Sequence, residues 1–144
     1  MRLLSGLHAH TIVFMALTTI GDHVAILPET AGGHMSTKAI LQRLGLIVHE
    51  LEVDYTNQKI DIDASLDMLK KYSPKVIFID RSEGLVYEDF SWLKEVPSYK
   101  IFDASQYLTN IISKDYPNPF QWGFDLILTT LHKNLPAPDG NDMY

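Results

Sequence analysis

Short apolar runs recur along the chain and are separated by more polar segments. Continuous apolar runs of this length are typical of strands that are buried on both faces of a sheet. The pattern therefore predicts five buried strands. They fall at residues 24–27, 46–51, 76–79, 100–102 and 126–130.

The segments between these runs carry apolar residues at helical spacing. In one, Asp61 is a candidate N-cap in front of the apolar positions, and in another Ser36 has the same place. The apolar positions are Ile62, Leu66 and Leu69 in the first segment and Ile40, Leu41 and Leu44 in the second. An alternation of strand and helix predicts an α/β fold, in which helices cover both faces of a mostly parallel sheet.

Polar residues follow four of the predicted strands directly. In parallel sheets the carboxyl ends of the strands share one edge, and ligands bind there. We therefore expect these residues to converge on one candidate site. They are residues 29–34, 80–84, 103–106 and 131–133.

Composition and charge narrow the function classes. The chain has 144 residues, a net charge of -6 and no cysteine. Its Lys and Arg residues are scattered, so nucleic acid is not an expected partner, and a thiolate metal site is excluded. The apolar run at residues 11–20 is too short to span a bilayer, which predicts a buried helix and no membrane partner. The cytoplasm is the expected compartment, and no metal site is expected from the dispersed histidines.

The residues at the predicted edge suit an aromatic cofactor that has an aldehyde, a pyridine nitrogen and a phosphate. Lys133 offers an amine for a Schiff base if the cleft is poorly solvated, and Asp103 offers a carboxylate to the protonated ring nitrogen. His34 follows two glycines and can approach the ring face. Gly6 begins the first helix, where backbone amides can bind phosphate.

Three further polar residues complete this candidate site. Ser82 and Gln106 are expected to hydrogen-bond a phenolic oxygen or a substrate carboxylate, and His132 to assist the phosphate or the Schiff base. Taken singly, each group also fits an ordinary surface lysine, a turn or a helix cap. A signalling receiver domain is a competing interpretation, although residues 28–30 supply one carboxylate where such a domain needs a pair for magnesium.

The chain resembles the serine hydroxymethyltransferase family across residues 3–136. The specific matches are a Thr-x-His-Lys stretch and a Tyr-Pro-Asn-Pro turn. The motifs read Leu4-Ser5-Gly6, Ala31-Gly32-Gly33-His34, Phe102-Asp103-Ala104, Tyr116-Pro117-Asn118-Pro119 and Thr129-Thr130-Leu131-His132-Lys133. The resemblance implies the large domain of the aspartate-aminotransferase-like fold of pyridoxal-phosphate enzymes, a three-layer sandwich.

The resemblance also implies roles for individual residues. It makes Lys133 the Schiff-base lysine, Asp103 the partner of the pyridine nitrogen and His34 the residue stacked on the ring. Ser82 and Thr130 match cofactor-site residues, and Gly6 matches the phosphate loop. The implied reaction transfers a one-carbon unit between serine and glycine with tetrahydrofolate, or cleaves a related hydroxy amino acid.

Departures from the family pattern indicate a divergent member. Leu7 stands where a phosphate-binding serine is usual, and Gln106 where a histidine is usual. Residues 1–136 are expected to form a partial cofactor-binding domain and residues 137–144 an irregular tail. The expected partners are a small amino-acid substrate and a second copy of the chain, or a second chain that completes the enzyme. The remaining alternative is a non-catalytic interaction module of the same fold.

Overall fold

A computed structural model describes residues 3–83 and 87–137. Five strands form one parallel sheet, and two form a separate antiparallel pair. In chain order the strands are β1 (His23–Ile26), β2 (Ile47–Glu50), β3 (Val53–Asp54), β4 (Lys59–Ile60), β5 (Val76–Ile79), β6 (Tyr99–Asp103) and β7 (Leu126–Leu128). The order across the parallel sheet is β2-β1-β5-β6-β7, and β3 pairs with β4.

Four α-helices lie between and before the strands of the parallel sheet. They are α1 (Gly6–Leu17), α2 (Thr37–Arg43), α3 (Ile62–Tyr72) and α4 (Leu108–Ser113). The predicted cap of α3 is confirmed, since the Asp61 carboxylate accepts a hydrogen bond of 3.0 Å from the Ala64 amide. Ser36 stands at the N-cap position of α2 without a side-chain cap hydrogen bond.

Helices cover both faces of the sheet, which gives three layers. Alternate residues of a strand point to opposite faces, so Val76 and Phe78 of β5 pack with Phe14 of α1 and Leu41 of α2. On the other face lies a core that includes Leu69 of α3 and a group of aromatic side chains. The group comprises Phe90, Phe102, Tyr116, Trp122 and Phe124. The predicted α/β fold with a mostly parallel sheet is confirmed.

The prediction of five strands buried on both faces is wrong for two of them. The burial expected of β1 and β5 is found, whereas Ile47 of β2 is 45% exposed and all three residues of β7 are half-buried. The physical reason is topological, because β2 and β7 are the edge strands and each has a single neighbour. Apart from Ala137, the predicted tail lies outside the described residues.

The predicted buried helix at residues 11–20 corresponds to α1, which begins earlier and ends at Leu17. In the described ranges, no helix is long and apolar enough to cross a membrane. Those ranges also hold no cluster of three or more histidine and acidic side chains arranged for a metal ion.

Candidate functional site

The carboxyl ends of the central strands meet at a narrow recess. Its lining residues come from the connections that follow β1, β5, β6 and β7. They are His34, Asp80, Arg81, Ser82, Asp103, Ser105, Gln106 and Lys133. Five of the predicted site residues are therefore brought together. The recess measures about 10 Å³, room for a single water-sized group, so a larger ligand would lie over its mouth.

Asp103 is the last residue of β6 and is held by two donors. Its Oδ2 lies 2.7 Å from Nε2 of His10, and its Oδ1 accepts a 2.7 Å hydrogen bond from the Ser105 amide. Burial alone would raise the pKa of Asp103, but the hydrogen bond and charge of His10 and the contacts with Ser105 outweigh it, so the pKa is lowered. Asp103 is therefore an ionised carboxylate at neutral pH.

His34 lies at the mouth of the recess in a neutral form. Its Nδ1 accepts a 3.2 Å hydrogen bond from the Ser36 amide, so the proton of the neutral ring is on Nε2. Burial lowers the pKa of His34, and the positive charges of His10 and Lys133 lower it further. The preceding Gly33 is needed for close packing, because a Cβ there would lie 2.3 Å from the carbonyl oxygen of Leu27.

Lys133 belongs to a turn that follows β7, and its side chain lines the recess from an exposed position. The expectation that this lysine lies in a poorly solvated cleft is therefore wrong in this structure. The reason is the shallowness of the recess, which leaves the Lys133 side chain exposed. His132 is half-buried in the same turn but is not among the residues that line the recess.

Gly6 and Thr130 place the start of α1 against the segment after β7. A Cβ at Gly6 would lie 2.8 Å from Cγ2 of Thr130, a distance that real side chains do not tolerate without movement. The Thr130 amide donates a 3.0 Å hydrogen bond to the Ser105 hydroxyl, and its own Oγ1 is buried without a hydrogen bond. Neither Gly6 nor Thr130 lines the recess itself.

Ser82 and Gln106 both line the recess, from the connections that follow β5 and β6. The Ser82 amide donates a 2.8 Å hydrogen bond to the Gly32 carbonyl, which ties the connection after β5 to the glycine turn. Gln106 is exposed after the end of β6. Both side chains are thus available to a ligand at the mouth of the recess.

Two buried residues of this region were given no role from the sequence, although Asp80 was among the residues expected to converge on the site. His10, expected only as part of a buried helix start, reaches Asp103 from α1. The available signal was its four-residue spacing from Gly6, which puts both on one helix face. Asp80 directly follows β5, and its carboxylate accepts a short hydrogen bond from the Thr37 hydroxyl. Its position after an apolar run was a signal, but the partner Thr37 was not predictable.

Comparisons with known proteins identify a family and a fold. The sequence model of the family described as serine hydroxymethyltransferase matches residues 1–143. The serine hydroxymethyltransferase of Thermococcus onnurineus is 31% identical over 146 residues, which cover 97% of this chain and 34% of the relative. That of Pyrobaculum aerophilum is 33% identical over 145 residues, covering 96% and 34%. The chain thus spans about a third of the length of the curated relatives it matches.

One solved structure has the same fold. The crystal structure of L-threonine transaldolase from Pseudomonas fluorescens in its internal aldimine state superposes with a TM-score of 0.86. The match covers 96% of this chain and 32% of that chain, at 22% sequence identity. It supports the three-layer arrangement of the sheet and helices.

Proposed function

This chain belongs to the serine hydroxymethyltransferase family, and on that premise we propose that it is part of a pyridoxal-phosphate enzyme that acts on small amino acids. Residues 1–136 would form part of the cofactor-binding large domain. The single observation that carries the proposal is the convergence of Lys133, His34 and Asp103, from three separate connections, on one recess. One cofactor would have to contact all three.

The residues present fit this cofactor chemically. Asp103 is an ionised carboxylate, as a protonated pyridine nitrogen requires, and His34 presents a neutral ring, as a stacked aromatic partner should. Lys133 supplies the primary amine that would attach the aldehyde. The first amides of α1, beginning at Gly6, have no carbonyl partner within the helix and would face the phosphate.

The remaining predicted residues take supporting roles in this proposal. Ser82 and Gln106 would hydrogen-bond the ring oxygen or the substrate carboxylate, and His132 would lie close to the attachment point. Thr130 offers a buried hydroxyl oxygen that has no hydrogen bond in the described structure. An unsatisfied buried oxygen of this kind is costly, and a bound phosphate or water next to it would remove the cost.

When bound, the cofactor supplies an electron-poor ring that stabilises negative charge at the α-carbon of an amino acid. The chain's own contribution is to keep that ring protonated and in place. His10 and the Ser105 amide keep Asp103 charged and oriented, so the carboxylate can hold the proton on the ring nitrogen. His34 would limit tilting of the ring, and Lys133 would be available to accept or return a proton at the α-carbon.

The proposed reaction is one-carbon transfer between serine and glycine, or aldol cleavage of a related hydroxy amino acid. Tetrahydrofolate is the proposed one-carbon carrier in the first case. The cytoplasm is the proposed compartment. Family membership supports these assignments, and the residues at the recess agree with a small amino-acid substrate.

We further propose that this domain works with a second polypeptide, either another copy of the chain or one that completes the enzyme. Large apolar side chains on and next to α1 support this proposal, because they remain in water in the described structure. Leu4 is 70% exposed, Met15 65% and Ile20 86%. Large apolar side chains left exposed in this way are candidates for a protein interface.

Covalent labelling tests the cofactor assignment. The purified chain is mixed with pyridoxal phosphate, its absorbance spectrum is recorded, and the complex is reduced with borohydride for peptide mass spectrometry. We expect the label on Lys133 and its loss in Lys133→Ala, whereas Lys70→Ala, which removes an exposed lysine of α3, keeps both band and label. Equal labelling of several surface lysines would overturn the assignment and favour a non-catalytic module.

A further inference from the structure

Asp80 and Asp103 are neighbouring carboxyl groups at the site. β5 and β6 run parallel, and Ile79 is paired with Phe102. Asp80 follows Ile79, and Asp103 follows Phe102. The two carboxyl residues therefore lie side by side, and their side chains share one face of the sheet. Asp80 is only 3% exposed and lines the same recess.

The two oxygens of Asp80 have different surroundings. Oδ2 accepts a short hydrogen bond from the Thr37 hydroxyl of α2. Oδ1 is buried and has no hydrogen-bond partner among the described residues. Buried polar oxygens are rarely left unpaired, and Asp80 lines the recess, so a ligand bound there would offer Oδ1 a partner.

The electrostatic environment separates the two carboxyl groups. Asp103 has an imidazole N–H and a backbone amide as donors, which favour its charged form. Asp80 accepts from the Thr37 hydroxyl, and the backbone amide of His34 adds a smaller stabilisation of its charged form. The ionised neighbour Asp103 disfavours a second charge. Burial raises the pKa of Asp80 to about 7. The charge of Asp103 adds to the effect of burial, and together they outweigh the Thr37 hydroxyl, the charge of His10 and the backbone amide of His34. Two adjacent carboxyls with different pKa values are typical of sites where one holds a proton and the other a charge.

We propose that Asp80 is a second carboxyl of the ligand site, which carries the proton that Asp103 lacks and donates it from Oδ1 to an oxygen acceptor of the bound molecule. This inference rests on the proposed function, because the bound molecule is taken to be pyridoxal phosphate or its amino-acid adduct. The hydroxyl of Thr37 orients the group: it donates to Oδ2, so the acid proton is on Oδ1.

The ionisable groups around Asp80 come from every element packed against it. They are His10 of α1, His34 before α2, Asp103 of β6 and Lys133 after β7. Arg81, the next residue in the chain, is paired with Glu88, with Nη1 3.1 Å from Oε2. A rise in pH that ionises Asp80 would place two negative charges side by side and remove the donor at Oδ1.

The substitution Asp80→Asn tests whether a proton is donated at this position. Asparagine has a similar shape and keeps an N–H donor at every pH, but it does not ionise. The dissociation constant for pyridoxal phosphate is measured for both proteins at pH 6 and at pH 8.5. At pH 6 we expect the two dissociation constants to agree within about twofold. At pH 8.5 we expect Asp80→Asn to bind about tenfold more tightly, because the wild type loses one hydrogen bond when Asp80 ionises and such a bond is worth roughly that factor. The ratio of the two constants cancels the titration of the cofactor itself.

A ratio that stays constant with pH would overturn the inference, as would weaker binding by Asp80→Asn at both pH values. The exposed Asp67→Asn of α3 is the matched control and should not change the ratio. Carboxyl carbon NMR of the whole chain without cofactor gives an independent readout, for which we expect Asp80 to titrate near pH 7. Titration near pH 4 would overturn this inference alone. Failure of the wild type to bind pyridoxal phosphate would overturn the proposed function, and NMR would still decide the state of Asp80.

Discussion

Nε2 of His10 lies 2.7 Å from Oδ2 of Asp103, although the two residues are 93 positions apart. His10 is 5% exposed, and its ring also meets Phe78 edge to face at 4.7 Å. The contact joins α1 to the end of β6 and keeps a buried carboxylate charged. A carboxylate that is to hold a proton on a ligand has to be kept in this state.

Replacement of His10 by phenylalanine should destabilise the fold. The substitution keeps an aromatic ring against Phe78 but leaves Asp103 buried with one donor fewer, so we expect a loss of about 1–3 kcal/mol at pH 7. Because the folded pKa of Asp103 is lowered, its stabilisation is present above the unfolded value of 3.8 and is lost as the pH falls through the folded value. Urea unfolding at pH 7 and in acid measures both effects.

His8→Phe is the control for this experiment, since His8 is half-buried in the same helix and its ring accepts only from the Leu4 amide. Equal losses in the two variants, or a loss in His10→Phe that does not shrink in acid, would contradict the role assigned to the contact.

Gly6→Ala should also be destabilising, through contact rather than backbone strain. The new methyl group would meet Cγ2 of Thr130 at 2.8 Å, and a buried β-branched side chain has little freedom to move away. Overpacking of this kind costs about 1–3 kcal/mol. Thr130→Ser removes the opposing methyl, so the double variant should recover most of the loss. A thermal-denaturation cycle of the four proteins tests this, and purely additive effects would argue against the contact.

Asp80 should make the fold less stable as the pH rises. Its pKa is 3.8 in the unfolded chain and about 7 when folded, so the folded state binds more protons between these values. The free energy of unfolding of the wild type, minus that of Asp80→Asn, should therefore fall from pH 4 to pH 7 and level off above. Chemical denaturation at several pH values gives the curve. A flat difference would show that Asp80 is ionised in the fold.

Asp61→Ala should weaken α3 by about 1 kcal/mol, because the Ala64 amide loses its capping acceptor. Asp67→Ala, within the same helix and exposed, should cause no comparable loss. Urea midpoints compare the two variants directly. Similar losses would mean that general charge, and not the cap, stabilises the helix start.

Part of this fold could be predicted from local patterns in the sequence. Continuous apolar residues marked β1 and β5 correctly, and Asp61 marked the start of α3, because strand burial and helix capping depend on neighbouring residues. The carboxyl ends of parallel strands share one edge of a sheet, and from this rule Asp103 and Lys133 were expected to lie close together. Both line the recess.

Long-range pairing was beyond the reach of such patterns. Nothing in the spacing of α1 identifies Asp103 as the partner of His10, or Thr37 as the partner of Asp80, since both contacts depend on how helices rest on the sheet. The exposure of Lys133 was missed for the same reason, because solvation depends on the depth of the recess. The short β3–β4 pair lacks an apolar run long enough to be recognised.

The close approach of Gly6 to Thr130 has a consequence for folding kinetics. It joins the first helix to the segment that follows β7, so it brings together residues 124 positions apart in the sequence. Contacts between residues this far apart in sequence slow folding, because loop-closure entropy has to be overcome before they stabilise anything. The junction of Gly6 and Thr130 should therefore be among the last parts of the protein to form, after β1, β5 and β6 have assembled.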